Sequence, residues 1–159
     1  MDYLWSPWRY QYIVNIKSAE QCVFCIGEST KDDEEKFILF RGKYNFVILN
    51  IFPYTTGHLL VSPFEHLSDF SEGSPEQMTE MMNLVRQSKL ALERNYQPDG
   101  FNLGMNLGKC AGAGVEHHFH FHVVPRWIGD ANFMSIVGES RVLPETLDVT
   151  FQKLKGFFK

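Results

Sequence analysis

Residues His117 to Trp127 read "HHFHFHVVPRW" and hold four of the chain's six histidines. His118, His120 and His122 alternate with Phe119, Phe121 and Val123. Successive side chains of a β-strand point to opposite faces. The alternation therefore predicts a strand with three imidazoles on one face and an apolar set on the other, sealed against a core. Pro125 is expected to end its pairing. A face built of histidines gives up apolar burial, and acid–base or metal chemistry accounts for that better than packing does.

Two chemistries fit such a face. Alternate histidines can ligate one zinc ion and leave a water position open. A neutral imidazole, with an unperturbed pKa of about 6.5, can instead act as a nucleophile toward phosphorus, given one neighbour to fix its tautomer and another to assist the leaving group. The segment just before the strand, "GKCAGAGV" (108–115), favours the second. Its glycines expose backbone N–H groups that can wrap a phosphate.

Working outward, "FILF" (37–40) and "FVILN" (46–50) flank "RGKYN" as strand, turn and strand. "FPYTTGH" is a further turn, and "HLLVSP" reads as a strand that ends at Pro63. Ser74, Pro75 and Gln77 have the form of an N-cap, a first-turn proline and the far half of a capping box. Met78, Met81, Met82, Val85, Leu92 and Tyr96 then follow helical spacing and are read as core. "PDG" (98–100) closes that helix, and "FNLGMNLG" (101–108) is a strand. Leu147, Phe151, Leu154 and Phe158 suggest a short amphipathic C-terminal helix. The sum is an α+β fold: an antiparallel sheet of about five strands, one long helix and a short C-terminal one. The 159 residues are expected to form one domain: an N-terminal segment (1–35), a core (36–134) and a C-terminal helix and tail (135–159).

A formal net charge of −4 and a pI near 5.8 argue against nucleic-acid polymers as partners. No apolar run reaches membrane-spanning length, and "MDYLWSPWRYQY" lacks the basic and apolar regions of a secretory signal, so a cytoplasmic location is expected. In a reducing compartment the C-x-x-C of Cys22 and Cys25 points to metal or redox chemistry. Cys110 is read as a free thiol, and "TKDDEEK" (30–36) as a solvated charge run.

With its flanking pieces, the stretch His118-Phe119-His120-Phe121-His122-Val123-Val124 resembles the signature of the histidine triad superfamily. "FVILN", "TTGHLLVSP", "FNLGMNLG" and "HVVPRW" follow in that family's order. "LWSPWRYQYI", "CVFC" and "GAGV…HVVPRWIGDANFM" resemble a bacterial branch close to the fragile histidine triad proteins and the diadenosine tetraphosphate phosphorylases. The resemblance runs from about Leu4 to about Met134. It implies a histidine-triad-like fold, usually a homodimer, acting on a small nucleotide such as a dinucleoside polyphosphate. His120 would attack the α-phosphorus and carry a nucleotidyl intermediate, resolved by water or inorganic phosphate. His122 would hydrogen-bond at the phosphate. Asn50 matches the ribose-binding position and Asn106 a polar position near the α-phosphate. Gly112, Ala113, Gly114 and Val115 match the phosphate loop, and Ile48 and Leu60 the walls of the base pocket.

His122 stands where nucleotidyl-transferring relatives and some phosphorylases carry Gln, which favours water as acceptor. The loop departs from the Gly-Gln-Ser/Thr-Val of many relatives and lacks their amide and hydroxyl groups. Glu116 and His117 make this segment one residue longer. Lys109 or Arg126 could serve a polyphosphate tail. The family pattern also implies a structural zinc site of Cys22, Cys25, His66 and His118, leaving His120 and His122 for catalysis. No organic cofactor is implied. Other readings stay open: a phosphorylase, a nucleoside phosphoramidate hydrolase, a zinc hydrolase on the three triad histidines, and a nucleotide sensor with little turnover.

Overall fold

Five short runs rich in branched and aromatic residues build one antiparallel sheet. They are β1 (Ile38–Arg41), β2 (Asn45–Leu49), β3 (Leu59–Pro63), β4 (Gly100–Gly104) and β5 (Phe121–Arg126), in the order β1-β2-β3-β5-β4. The computed structural model describes residues 22–27, 32–131 and 143–158. "LWSPWRYQYI", Thr30, Lys31 and the "NFM" of 132–134 lie outside the described residues.

Helix α1 (Pro75–Tyr96) begins where the sequence places it, with the Ser74 hydroxyl accepting from the Gln77 N–H at 3.2 Å. It ends one residue before "PDG". Gln97 takes the left-handed conformation that glycine usually fills, and its N–H reaches the Glu93 carbonyl. Met81, Leu84, Val85, Ala91 and Leu92 are buried on one side of α1. They pack on Val47, Leu49, Leu59, Val61 and Val123 from one face of the sheet. Met82, expected in the core, is 54% exposed because the stripe that meets the sheet runs through Met81 and Val85. Helix α2 (Leu147–Leu154) adds Phe151 and Leu154 to the same core, and Phe158 follows it. No described helix is long and apolar enough to cross a membrane.

The opposite face of the sheet carries a smaller cluster, Ile38, Phe46, Ile48 and Leu60, covered by Phe24. This is the histidine face. Gly57 ties the turn before β3 to α1. Its φ is +77°, and a Cβ there would meet Leu92 Cδ2 at 2.7 Å, so only glycine fits.

The strand that carries the histidines starts at Phe121, three residues later than its sequence predicts. β3 explains the delay. Val61 pairs with Phe121, so the next rung would need an N–H from Pro63, which has none. Side chains replace the ladder there: Ser62 Oγ donates to the Phe119 carbonyl and His118 Nε2 to the Pro63 carbonyl. The alternation survives, with Phe119, Phe121 and Val123 in the helix-side core. Pro125 does not end the pairing either. It sits in register with Phe101 of β4, beyond the point where β3 stops at Val123. β4 itself ends at Gly104, short of the expected "FNLGMNLG".

The charge run before β1 is only partly solvated. Asp33 accepts from Arg41 Nε at 3.0 Å and Nη2 at 2.8 Å. Glu80 of α1 holds the β1–β2 turn, accepting from the N–H groups of Lys43, Tyr44 and Asn45 and from Asn45 Nδ2, all within 2.8 Å. Burial pulls its carboxyl up, but these donors outweigh burial and hold it below the usual glutamate range. Glu80→Ala orphans them and is expected to cost about 3 kcal/mol in urea unfolding. A cost near zero would show that the turn holds itself.

Candidate active site

His120 lies 8% exposed beside two rings. The Phe24 ring lies at a centroid distance of 4.6 Å and the His122 ring at 4.9 Å. Its Nδ1 is 3.1 Å from the His118 carbonyl. A carbonyl can only accept, so Nδ1 carries the proton and Nε2 keeps a free lone pair. Burial lowers the pKa of His120, which keeps the ring neutral.

A second chain of hydrogen bonds fixes His122, and it runs through a residue the sequence reading passed over. His58, 1% exposed at the head of β3, accepts at Nδ1 from the Tyr54 N–H at 3.1 Å, with Asn50 Nδ2 at 3.2 Å from the same nitrogen. The His58 proton is therefore on Nε2, which lies 2.9 Å from His122 Nδ1. His122 Nδ1 accepts, and its N–H is on Nε2. The tautomers of His120 and His122 thus oppose each other: one offers a lone pair at Nε2, the other a proton. The signal for His58 was present in "TTGHLLVSP". It lies two residues before Leu60, which pairs with His122, so both share one sheet face.

Burial, with His120 beside it, pushes His122 down to about 4. A proton on Nδ1 would also face the His58 N–H donor. An NMR titration is expected to show the His122 ring neutral from pH 8 down to about 4. A midpoint near the ordinary 6.5 would contradict the pairing.

Asn50 follows β2. Its Oδ1 accepts from the Phe52 N–H at 2.9 Å, so the expected ribose residue also holds the turn that carries His58. Asn106 reaches the loop, with Nδ2 3.5 Å from the Gly112 carbonyl. Gly112 sits at φ +87°, and its N–H and that of Ala113 bond back to the carbonyls of Lys109 and Gly108. Two of the expected phosphate-loop donors are thus engaged within the loop. Val115 packs beside Phe24, Ile48 and Leu60, and the two expected base-pocket walls are only 9% and 5% exposed under Phe24. Arg126 is held by Asp130 and Asn102, while Lys109 is exposed.

His118 takes a different role from its neighbours. With Nε2 donating to the Pro63 carbonyl at 2.8 Å, its Nδ1 lone pair faces Cys22 Sγ at 3.4 Å and Cys25 Sγ at 3.8 Å. Cys25 Sγ is also 3.1 Å from His66 Nδ1. One ligand atom from each of Cys22, Cys25, His66 and His118 lies within 4.8 Å of every other. Burial pushes His118 down to about 4, so it is in the neutral form that binds metal. Two thiols and two imidazoles make a closed tetrahedral set suited to zinc. All four residues the sequence proposed come together, and the set excludes His120 and His122.

The family model described as the HIT domain matches residues 31–127. A Mycobacterium tuberculosis protein named AP-4-A phosphorylase is 36% identical over 151 residues, covering 91% of this chain and 77% of that one. A Saccharomyces cerevisiae protein named adenosine 5'-monophosphoramidase is 30% identical over 105 residues, covering 66% of this chain and 62% of its own. Among solved structures, a zinc-bound histidine triad family protein from Mycobacterium smegmatis superposes with a TM-score of 0.66 at 29% identity. The match covers 86% of this chain and 92% of that one.

Proposed function

The chain belongs to the HIT domain family, and from that premise we propose that it cleaves dinucleoside polyphosphates at the α-phosphate through a nucleotidyl-histidine intermediate on His120. It is a nucleotide-processing enzyme of that family. The observation that carries the finer reading is the pair of opposed tautomers. His120 Nε2 is an unprotonated nucleophile, fixed through Nδ1 by the His118 carbonyl, and the His122 N–H stands beside it as a donor.

The first step forms the His120 Nε2–phosphorus bond and breaks the bond from the α-phosphorus to the bridging oxygen. The electron pair leaves with a nucleoside polyphosphate, a stable anion that departs without taking a proton. His122 Nε2–H hydrogen-bonds an oxygen of the transferring phosphoryl group, where negative charge sits. In the second step the acceptor oxygen attacks phosphorus and His120 leaves with its lone pair restored. Water gives a mononucleotide and releases a proton. Inorganic phosphate gives a nucleoside diphosphate.

His122 at the third triad position supports water. The likeness over nearly the whole chain to a protein named AP-4-A phosphorylase supports phosphate as a second reading. Product analysis on diadenosine tetraphosphate, with and without inorganic phosphate, separates them. AMP plus ATP without phosphate marks hydrolysis, and ADP plus ATP only with phosphate marks phosphorolysis. No turnover in either reaction would sink the proposal and point to phosphoramidates or a nucleotide sensor.

We also propose a structural zinc ion held by Cys22, Cys25, His66 and His118. The donor set supports it, as does the zinc-bound relative. Such an ion ties three distant segments together. Because His118 precedes His120 by two residues and its carbonyl holds the nucleophile, the cluster braces the catalytic ring without touching substrate. The expected homodimer belongs to the same proposal. Leu103, 49% exposed on edge strand β4, supports a partner there.

A further inference from the structure

A cavity of about 660 Å³ opens beside His122, lined by the end of the sheet and by Lys153 of α2. Its volume is typical of a small-molecule site. Three aromatic rings, Tyr54, Tyr96 and Trp127, line it. Tyr54 stacks over the His122 ring, with centroids 6.0 Å apart and planes 17° apart. The Trp127 indole N–H reaches the Tyr96 carbonyl at 3.4 Å, which holds that ring at the wall.

Among the described residues, the charges that line the cavity cancel. Arg126 Nε and Nη2 meet the Asp130 carboxylate at 2.5 and 2.7 Å, and this contact holds Asp130 down to about 2. Lys153 pairs with Glu145, which also accepts from Tyr96 and Thr150. A neutral, aromatic cavity is a poor site for a bare polyphosphate tail, but its rings offer stacking faces to a heterocyclic base. Its lining sets it apart from the expected first-nucleoside pocket: His122 and Asn106 border it, whereas Ile48, Asn50, Leu60 and Val115 do not. Attack by His120 expels the leaving group on the side opposite the nucleophile. His122 lines the cavity, and His120 does not.

We propose that this cavity seats the second nucleoside, the base carried by the leaving nucleoside polyphosphate, with Trp127 as its principal stacking ring. The inference rests on the dinucleoside polyphosphate reading above and makes Trp127 a specificity-determining residue. The residues expected to hold the first nucleotide, Asn50, Asn106, Gly112 to Val115 and His122, do not include Trp127.

The test compares kcat/KM for diadenosine tetraphosphate with kcat/KM for adenosine 5'-phosphoramidate, whose leaving group is ammonia. Wild-type chain, Trp127→Ala and Trp127→Phe are measured on both. The ratio is expected to fall about tenfold in Trp127→Ala, mainly through KM, and to recover in Trp127→Phe. An unchanged ratio, with the wild type active on the dinucleotide, would overturn this inference alone. The same holds if Trp127→Phe behaves as Trp127→Ala, since a stacking role requires that the ring rescue it. A wild type active only on the phosphoramidate would overturn the dinucleotide reading and this one together.

Discussion

His120→Ala is expected to lower kcat on diadenosine tetraphosphate by about 10⁴-fold or more, as removal of a covalent nucleophile does. His120 is the one imidazole of the triad with its lone pair on Nε2; the lone pairs of the other two are on Nδ1 and face the cysteines and His58. His118 cannot replace it, because its Nε2–H is bound to the Pro63 carbonyl and its Nδ1 faces the cysteines. His122 cannot, because its Nδ1 accepts from His58. Truncation also leaves a gap beside Phe24, so His120→Gln, which fills the volume, serves as the companion variant. Both are expected to be inactive, and His120→Gln to show near-normal thermal unfolding. Activity within tenfold of wild type in a folded His120→Gln would remove His120 from the mechanism.

The Cys22→Ser, Cys25→Ser double variant is expected to lose its zinc and to lower Tm by about 10 °C, roughly 3–4 kcal/mol for a chain of this size. The two thiols are the ligands contributed by the segment that places Phe24 over Ile48 and Leu60. Without the metal that segment keeps the burial of Phe24, the packing of Ile26 and the hydrogen bond from Arg41 Nη1 to the Gly27 carbonyl. The expected result is zinc at one ion per chain in the wild type and none in the variant, by elemental analysis. The variant's kcat should fall far less than that of His120→Ala, since the cluster orients the nucleophile and does not meet the phosphate. A zinc hydrolase on His118, His120 and His122 predicts the reverse: zinc retained in the cysteine variant and lost with His120→Gln.

Much of this was written into the order of residues. Alternation at period two placed the three histidines on one sheet face, and Ser74-Pro75 marked the start of α1. Of the proposed zinc ligands, Cys22 and Cys25 were marked by their C-x-x-C spacing, whereas His66 and His118 came from family pattern. Cys25 and His66 are 41 residues apart, and only the sheet brings them to 3.1 Å. The late start of β5 was also hidden, because it depends on a proline of another strand meeting it in register. His58 was passed over because a single histidine in a turn carries no periodicity. Its importance comes from the cross-strand pairing of Leu60 with His122. Arg126 looked available for a polyphosphate, and Asp130, four residues on, engages it.

The most direct test of the central claim is to trap the intermediate. Wild-type chain is mixed with diadenosine tetraphosphate without inorganic phosphate, quenched rapidly in alkali, where a phosphorus–nitrogen bond to histidine survives, and analysed by peptide mass spectrometry. An adenylate is expected on the peptide containing His120, formed at least as fast as turnover and missing from His120→Gln. Turnover with no adenylated histidine at any quench time, or an adenylate mapped to another residue, would contradict it.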